Sequence, residues 1–312
     1  MPKVSIIGAG NVGATAVYYI AEKNLADIVM VDVVKGLPQA KALDYLHAAP
    51  MRNYQVHILG TNDYQDIKDS DVVILTAGIP RKPGMDRMDL MKINVDIAKK
   101  AAQAIAEYAP NAVVVVVSNP LDVIAMATLQ ETGFALKRVM GMAGVLDATR
   151  FRYFIAEKLT VWPGDVMAMV LGGHGDTMVP LPRYTRVNGI PVTELIGPED
   201  LEKLIDRTRT GGGEIVSLLK QGSAFYAPGA SVAKMVEAII KDEKRVVPVS
   251  AYLRGEYGYQ DMFLGVPALL GKNGVEKILE LPLTDAEKTA LDASAKAVKD
   301  GVDTLRSFFS PG

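Results

Sequence analysis

The 312-residue sequence contains no cysteine and three histidines, His47, His57 and His174. Without cysteine there is no disulfide framework, no thiol nucleophile and no thiolate metal site. None of the histidines forms an H-x-x-x-H pair, so no protein-held metal is expected. Long apolar runs are missing as well. Even the valine-rich run Ala112–Val117 falls far short of the ~18 residues of a membrane span. Charge of one sign is not in excess: 34 Lys+Arg stand against 36 Asp+Glu. Global charge therefore attracts neither nucleic acid nor an anionic membrane. Val4-Ser5-Ile6-Ile7, ahead of a glycine loop, is too short for a signal-peptide core, and no arginine-rich transit segment is present. A soluble, cytoplasmic protein is the expectation.

What is present is an ordinary globular composition, 49% hydrophobic and 22% charged, with enough length for two domains. Val4–Ile7, Ile28–Val31, Gln55–Leu59, Val72–Leu75 and Val113–Val117 are short, mostly apolar runs. Such runs suit strands buried on both faces of a parallel sheet. Helical spacing fills the gaps, as in Val12–Lys23 and Met91–Tyr108. The alternation predicts right-handed βαβ units and a doubly wound sheet. The second half reads differently. Val166–Leu171 is another apolar run, Tyr184–Val192 reads as a hairpin turning on Asn188-Gly189, and Ala251–Leu264 supplies further antiparallel strands. Thr284-Asp285-Ala286-Glu287 has capping-box spacing. Leu291, Ala295, Val298, Val302, Leu305 and Phe309 then mark one face of a long final helix. The change of pattern near Ala143-Gly144 divides the chain into units 1–143 and 144–312.

Gly8-Ala9-Gly10-Asn11-Val12-Gly13 is a G-x-G-x-x-G loop between a strand and a helix. Gly8 allows the tight turn, Gly10 a close backbone approach to a pyrophosphate, and Gly13 close helix–strand packing. The next strand ends at Asp32. A carboxylate there accepts hydrogen bonds from ribose hydroxyls and repels a 2′-phosphate, which favours NAD over NADP. No lysine follows the glycines at Walker spacing. His174, in Gly172-Gly173-His174-Gly175-Asp176, suits general acid–base work, and its flanking glycines leave room for a ligand. Arg81 and Arg87 lie in a Gly- and Pro-punctuated stretch after a strand, read as a lid over about 79–91. Arg150 opens a helix, and guanidinium forks pair with carboxylates. Asn119, before Pro120, ends the valine strand and has an amide to offer. The bland readings are a turn histidine, solvated arginines and a turn-forming asparagine. His47 and His57 receive no role.

With these segments laid out, the chain resembles the lactate/malate dehydrogenase family, within it the lactate-dehydrogenase-like malate dehydrogenases. The segments that carry the resemblance are GAGNVG, the VD ending at Asp32, GIPRKPGMDR, VVSNPLD, GVLDATRFR, GGHGD and GSAFYAPG, in family order from Gly8 to the final helix. It implies a Rossmann-type doubly wound sheet followed by an α+β catalytic domain with antiparallel strands. It also implies reversible NAD-dependent oxidation of (S)-malate to oxaloacetate, a step of the tricarboxylic acid cycle, in a homotetramer or homodimer. His174 becomes the acid/base and Asp147 its partner, a choice over Asp176 that spacing alone leaves open. Arg150 becomes the clamp for one carboxylate and Arg87 the group that polarises the reacting oxygen. Arg81 stands where lactate-specific relatives carry Gln, and supplies a partner for a second carboxylate. Asn94, Val117, Ser118 and Asn119 would contact NAD beside the glycine loop, Asn119 the substrate as well. The alternatives are a dehydrogenase for lactate or another 2-hydroxy acid, and a non-catalytic NAD(H)-sensing module.

Overall fold

The structure, a computed structural model, describes residues 1–79 and 87–309; the side chains of Arg87 and of 305–309 lie outside the description. Arg81, most of the stretch read as a lid, and the side chains of Arg87, Leu305 and Phe309 therefore lie outside the described residues.

The first half alternates as expected: β1 (Lys3–Ile7), α1 (Asn11–Glu22), β2 (Asp27–Val31), α2 (Leu37–Arg52), β3 (Ile58–Thr61), β4 (Val72–Leu75), α3 (Arg87–Tyr108), β5 (Val113–Val116), α4 (Leu121–Thr132), β6 (Val139–Gly141) and α5 (Gly144–Leu159). These strands are parallel, in the spatial order β6-β5-β4-β1-β2-β3. The order reverses beside β1, which puts a ligand crevice at the carboxyl ends of β1 and β4. Every residue of β4 and β5 is buried, which is why both read as unbroken apolar runs. Each fully buried aliphatic side chain there contributes on the order of 1.5–3 kcal/mol. The third strand begins three residues later than its apolar run. The N–H groups of Gln55 and His57 are taken by the side chains of Asn24 and Asp27 at 2.8 and 2.9 Å, outside any ladder.

The second half contains β7 (Val166–Met167), β8 (Val170–Leu171), β9 (Val179–Pro180), β10 (Arg186–Val187), β11 (Ile190–Pro191), α6 (Val192–Leu195), α7 (Pro198–Leu219), α8 (Tyr226–Ile240), β12 (Arg245–Arg254), β13 (Gln260–Gly271), β14 (Gly274–Ile278) and α9 (Asp285–Phe309). β12, β13 and β14 do not form a sheet of their own. They extend the parallel sheet antiparallel to β6 through Ser250 against Gly141, giving nine strands among the described residues. The run 166–171 is not one strand, because β7 pairs with β10 while β8 pairs with β9. The Asn188-Gly189 hairpin is present, with φ of 45° and 90° at the two turn residues. The capping box is present too: Thr284 and Glu287 exchange backbone-to-side-chain bonds of 2.8 and 3.2 Å. Leu291, Ala295, Val298 and Val302 of α9 enter the core. Among the described residues no helix is long and apolar enough to cross a membrane.

Candidate active site

The parallel strands end in a row. Ile7, Leu75, Val116 and Gly141 are register partners across β1, β4, β5 and β6. At ~4.8 Å per strand the row spans roughly 15 Å, and each loop leaving it carries a residue singled out above.

At one end is the glycine loop. Gly8 has φ of +112°, and a side chain on it would strike Thr76 and the Ala77 backbone. A Cβ on Gly13 would lie 2.0 Å from the Gly8 carbonyl oxygen, so the helix packs on the strand only because Gly13 lacks one. Gly10, by contrast, has none of the described atoms within 4 Å of its missing Cβ. It begins α1 with no side-chain cap, leaving the first helical N–H groups to face an incoming anion. Asn11 is exposed and Val12 half-buried at the same helix start, while Ala9 is buried.

Asp32 stands at the end of β2 and already holds part of this loop. Its Oδ2 accepts the Ala9 N–H at 2.7 Å and its Oδ1 accepts the Val34 N–H at 2.9 Å. Lys41 grips the other side of the same residue, donating to the Ala9 carbonyl at 2.6 Å. Burial pushes the Lys41 ammonium below its usual pKa, against the pull of Asp32. Nothing in the sequence motif marked Lys41.

Further along the row, Ser118 donates to the Ala77 carbonyl at 2.6 Å. Val117 is half-buried, and Asn119 is exposed ahead of a cis Pro120 peptide. Asn94, on α3, is buried and committed to backbone: Oδ1 accepts from Ile79 N at 2.8 Å, and Nδ2 donates to Asn119 O at 2.9 Å. Its amide ties two neighbouring loops together.

At the other end, α5 presents Asp147 and Arg150 on one face. Its Phe151 and Ile155 pack in a second apolar cluster with Val166, Val187 and α7. Asp147 Oδ2 lies 3.1 Å from His174 Nδ1, and its Oδ1 lies 3.5 Å from an Nη of Arg150. Asp176 is exposed, and of the two carboxylates that spacing left open it is Asp147 that lies against the imidazole. Burial pushes the His174 pKa down, but the charge and hydrogen bond of Asp147, helped by the charge of Asp122, outweigh it and the pKa rises. Arg150 is 14% exposed, and its Nε is buried without a hydrogen-bond partner among the described residues. Gly211 and Gly212 of α7 lie against it, and a Cβ on Gly212 would stand 3.4 Å from the guanidinium.

The glycines around His174 have a different cause from the one expected. Gly172 exchanges backbone hydrogen bonds with Gly265 of β13 at 2.9 and 3.1 Å. A Cβ on Gly173 would sit 2.5 Å from Val298 of α9, and the Gly173 N–H binds Ser294 Oγ at 2.9 Å. These two are small because the chain is packed on both sides; Gly175 alone faces open space among the described residues. The loop also carries a contact that the motif gave no hint of: the His174 N–H points to Asp122 Oδ2 at 3.3 Å. His47 and His57 are exposed and remote from this cluster in the fold.

Comparison with known proteins agrees with this fold. Residues 2–141 match the family description "lactate/malate dehydrogenase, NAD binding domain", and residues 144–309 match "lactate/malate dehydrogenase, alpha/beta C-terminal domain". The malate dehydrogenase of Methanosarcina acetivorans is 55% identical over 305 residues, covering 98% of this chain and 99% of that one. A solved malate dehydrogenase from Picrophilus torridus superposes with a TM-score of 0.96 at 46% identity, covering 99% and 98% of the two chains. A lactate dehydrogenase from Cryptosporidium parvum, solved with lactic acid and β-nicotinamide adenine dinucleotide, gives 0.95 at 42% identity and 99% coverage of each.

Proposed function

The chain belongs to the lactate/malate dehydrogenase family, and we propose that it catalyses the reversible NAD-dependent oxidation of (S)-malate to oxaloacetate. The observation that carries this reading is the Asp147–His174 pair beside an Arg150 whose Nε has no hydrogen-bond partner among the described residues. It lies along the same row of strand ends as the glycine loop.

NAD, the cofactor of this family, supplies the acceptor for the substrate's C2 hydride when bound. The residues present fit it. The open approach at Gly10 and the uncapped start of α1 suit a pyrophosphate. The Asp32 carboxylate keeps lone pairs for ribose hydroxyls after its two N–H bonds. Gly8, Ala9, Asn11, Val12 and Gly13 complete that cradle, with Asn94, Val117, Ser118 and Asn119 alongside.

His174 carries the proton. With Nδ1 facing Asp147, Nε2 is left to take the proton from the malate hydroxyl and to return it to oxaloacetate. Arg150 takes the C1 carboxylate, adding a substrate anion to the Asp147 carboxylate that its guanidinium already faces. Arg81, Arg87 and Asn119 are assigned from the sequence: Arg81 to the far carboxylate, Arg87 to the reacting oxygen, Asn119 to the substrate and cofactor together.

Malate and lactate enzymes share this fold, so substrate choice falls to Arg81. An unpaired guanidinium facing a methyl group in a closed site costs several kcal/mol, on the order of a thousandfold in preference. NADH consumption with oxaloacetate should exceed that with pyruvate by about that factor, and Arg81→Gln should narrow the ratio. Equal rates would favour a general 2-hydroxy acid dehydrogenase. No NADH consumption with any 2-oxo acid would favour the sensing module.

The same reading extends to a tricarboxylic acid cycle step in the cytoplasm, and to a cofactor unit, 1–143, working with a substrate unit, 144–312. It further extends to a homotetramer, with a homodimer as the alternative. Leu43, Leu46 and Met51 of α2, all exposed, support an association surface. Light scattering of the purified protein measures its order.

A further inference from the structure

His174 touches two buried carboxylates, and only one of them is Asp147. The second is Asp122, the second residue of α4, which is 6% exposed. Asp122 Oδ2 accepts the His174 backbone N–H at 3.3 Å, and its Oδ1 accepts the Ser250 hydroxyl at 2.6 Å. Ser250 is fully buried on β12, where that strand meets Gly141 of β6. Two donors aimed at one carboxyl group suit its anion. Yet neither donor is charged, and among the described residues no lysine or arginine forms an ion pair with Asp122. A buried carboxylate without a cation is expensive. An asparagine has one acceptor oxygen where the carboxylate has two, so it could not take both donors at these positions; holding both needs the carboxylate. Among the described residues, the cation whose charge bears most on Asp122 is His174 when protonated.

Among the described residues, the other charged and polar groups around the imidazole come from three helices. From α5 come Asp147, on Nδ1, and Arg150, whose charge opposes protonation. From α9 comes Ser294, uncharged, which holds the neighbouring Gly173 N–H. From α4 comes Asp122 itself.

We propose that Asp122 is a positioning residue for His174: it anchors the backbone of the histidine and sets a second buried negative charge beside the imidazole, with Ser250 fixing the carboxylate's orientation. The inference rests on the reading of His174 as proton carrier. In that reading Asp147 selects the tautomer and Asp122 holds the loop in place. Both favour the imidazolium that forms when malate gives up its proton. Burial pushes the Asp122 carboxyl above the usual range, so its charge is the fragile part of the arrangement, and the Ser250 and His174 donors work to keep it.

The test is Asp122→Asn and, separately, Ser250→Ala in the full-length protein. With only three histidines, the imidazole Cε1–H resonance of His174 is identified by its loss in His174→Asn. Asp122→Asn should lower the His174 pKa by about one unit, and Ser250→Ala should lower it by less. In kinetics, the acid limb of kcat/KM for malate oxidation and the alkaline limb for oxaloacetate reduction should both move to lower pH. The maximum should fall about tenfold or more, with NADH affinity unchanged. A uniform fall in rate with both limbs and the His174 pKa in place would overturn the proposal, leaving Asp122 a structural residue. If Asp122→Asn does not fold, Ser250→Ala decides by the same shift. The imidazole titration needs no turnover, so it judges Asp122 apart from the acid–base reading. That reading fails separately, if His174→Asn keeps its rate.

Discussion

Asp147 serves two neighbours with its two oxygens: Oδ2 faces His174 Nδ1 at 3.1 Å and Oδ1 faces Arg150 at 3.5 Å. One buried carboxylate thus ties the proton carrier to Arg150, the cation assigned to the substrate, which stands three residues on from Asp147 on the same helix face. Replacing it should damage both functions at once.

For Asp147→Asn the expected outcome is a loss of about 10²–10⁴ in kcat. The sign of the pH effect follows from the raised His174 pKa. Malate oxidation needs the neutral imidazole and fails below that pKa. Without Asp147 the pKa drops, so the acid limb moves to lower pH while the plateau falls. Steady-state pH profiles of wild type and variant check this. An acid limb that stays in place would remove Asp147 as the source of the shift.

A second prediction concerns the seat of the histidine loop. A Cβ on Gly265 would lie 2.2 Å from the Gly172 carbonyl oxygen, which is backbone and cannot swing aside. Gly265→Ala must push the loop off β13, breaking the pair of hydrogen bonds between the two glycines. Losses of about 2–4 kcal/mol in stability are expected, together with a fall in kcat larger than the rise in KM for NADH. Denaturant unfolding and steady-state kinetics measure the two. A fully active, fully stable Gly265→Ala would mean that the loop has slack.

The first half of the fold is legible in the sequence because a parallel sheet buries both faces of its strands. Apolar runs such as Val113–Val116 therefore stand out against helices of different period. The glycine loop is legible for a similar reason, since Gly8 and Gly13 answer close contacts that permit no other residue. Past residue 144 the signal weakens. β12 joins β6 through one residue pair, which leaves no mark in the composition, and the two-residue strands β7 and β8 read as a single run. In the site, His174 and Arg150 were legible as chemistry-bearing residue types. Their supports were not: Ser250, Lys41 and Ser294 come from distant parts of the chain and look like any surface residue until folding places them. Asp122 lay inside a quoted motif, but nothing in one sequence says that its carboxylate reaches residue 174.

Glu237 offers a third prediction, on acid stability. It is 9% exposed on α8 and holds three lysines, Lys23 at 2.7 Å, Lys234 at 2.9 Å and Lys241 at 3.0 Å. Burial pushes its carboxyl up, but the lysines outweigh that and bring it from 4.5 to about 2. That difference is worth at most about 3 kcal/mol, and solvent screening of the partly exposed lysines brings it to about 1–2 kcal/mol. Because the folded pKa lies below the unfolded one, the contribution is complete above about pH 4.5 and disappears as pH falls toward 2. Glu237→Gln should therefore lower stability at pH 7, and the gap from wild type should narrow by pH 3.5. Denaturant midpoints at the two pH values measure it; an equal gap at both would show that the loss is packing and not charge.

The last prediction separates two residues that hold one peptide. Asp32 accepts the Ala9 N–H and Lys41 donates to the Ala9 carbonyl, so both fix the turn that meets the pyrophosphate. Only the Asp32 carboxylate also stands where a 2′-phosphate would bring charge of the same sign. Asp32→Asn should thus weaken NADH and relieve the exclusion of NADPH, lowering the NADH-to-NADPH ratio of kcat/KM by about tenfold or more. Lys41→Met should loosen the turn alone, raising KM for both cofactors by a similar factor with the ratio unchanged. Parallel titrations of the two variants with each cofactor make the comparison. Should Lys41→Met shift the ratio as far as Asp32→Asn does, the ammonium faces the ribose itself and the shared-peptide account is wrong. A shift in KM without a shift in ratio leaves Asp32 as the discriminating charge and Lys41 as its counterpart on the far side of the peptide.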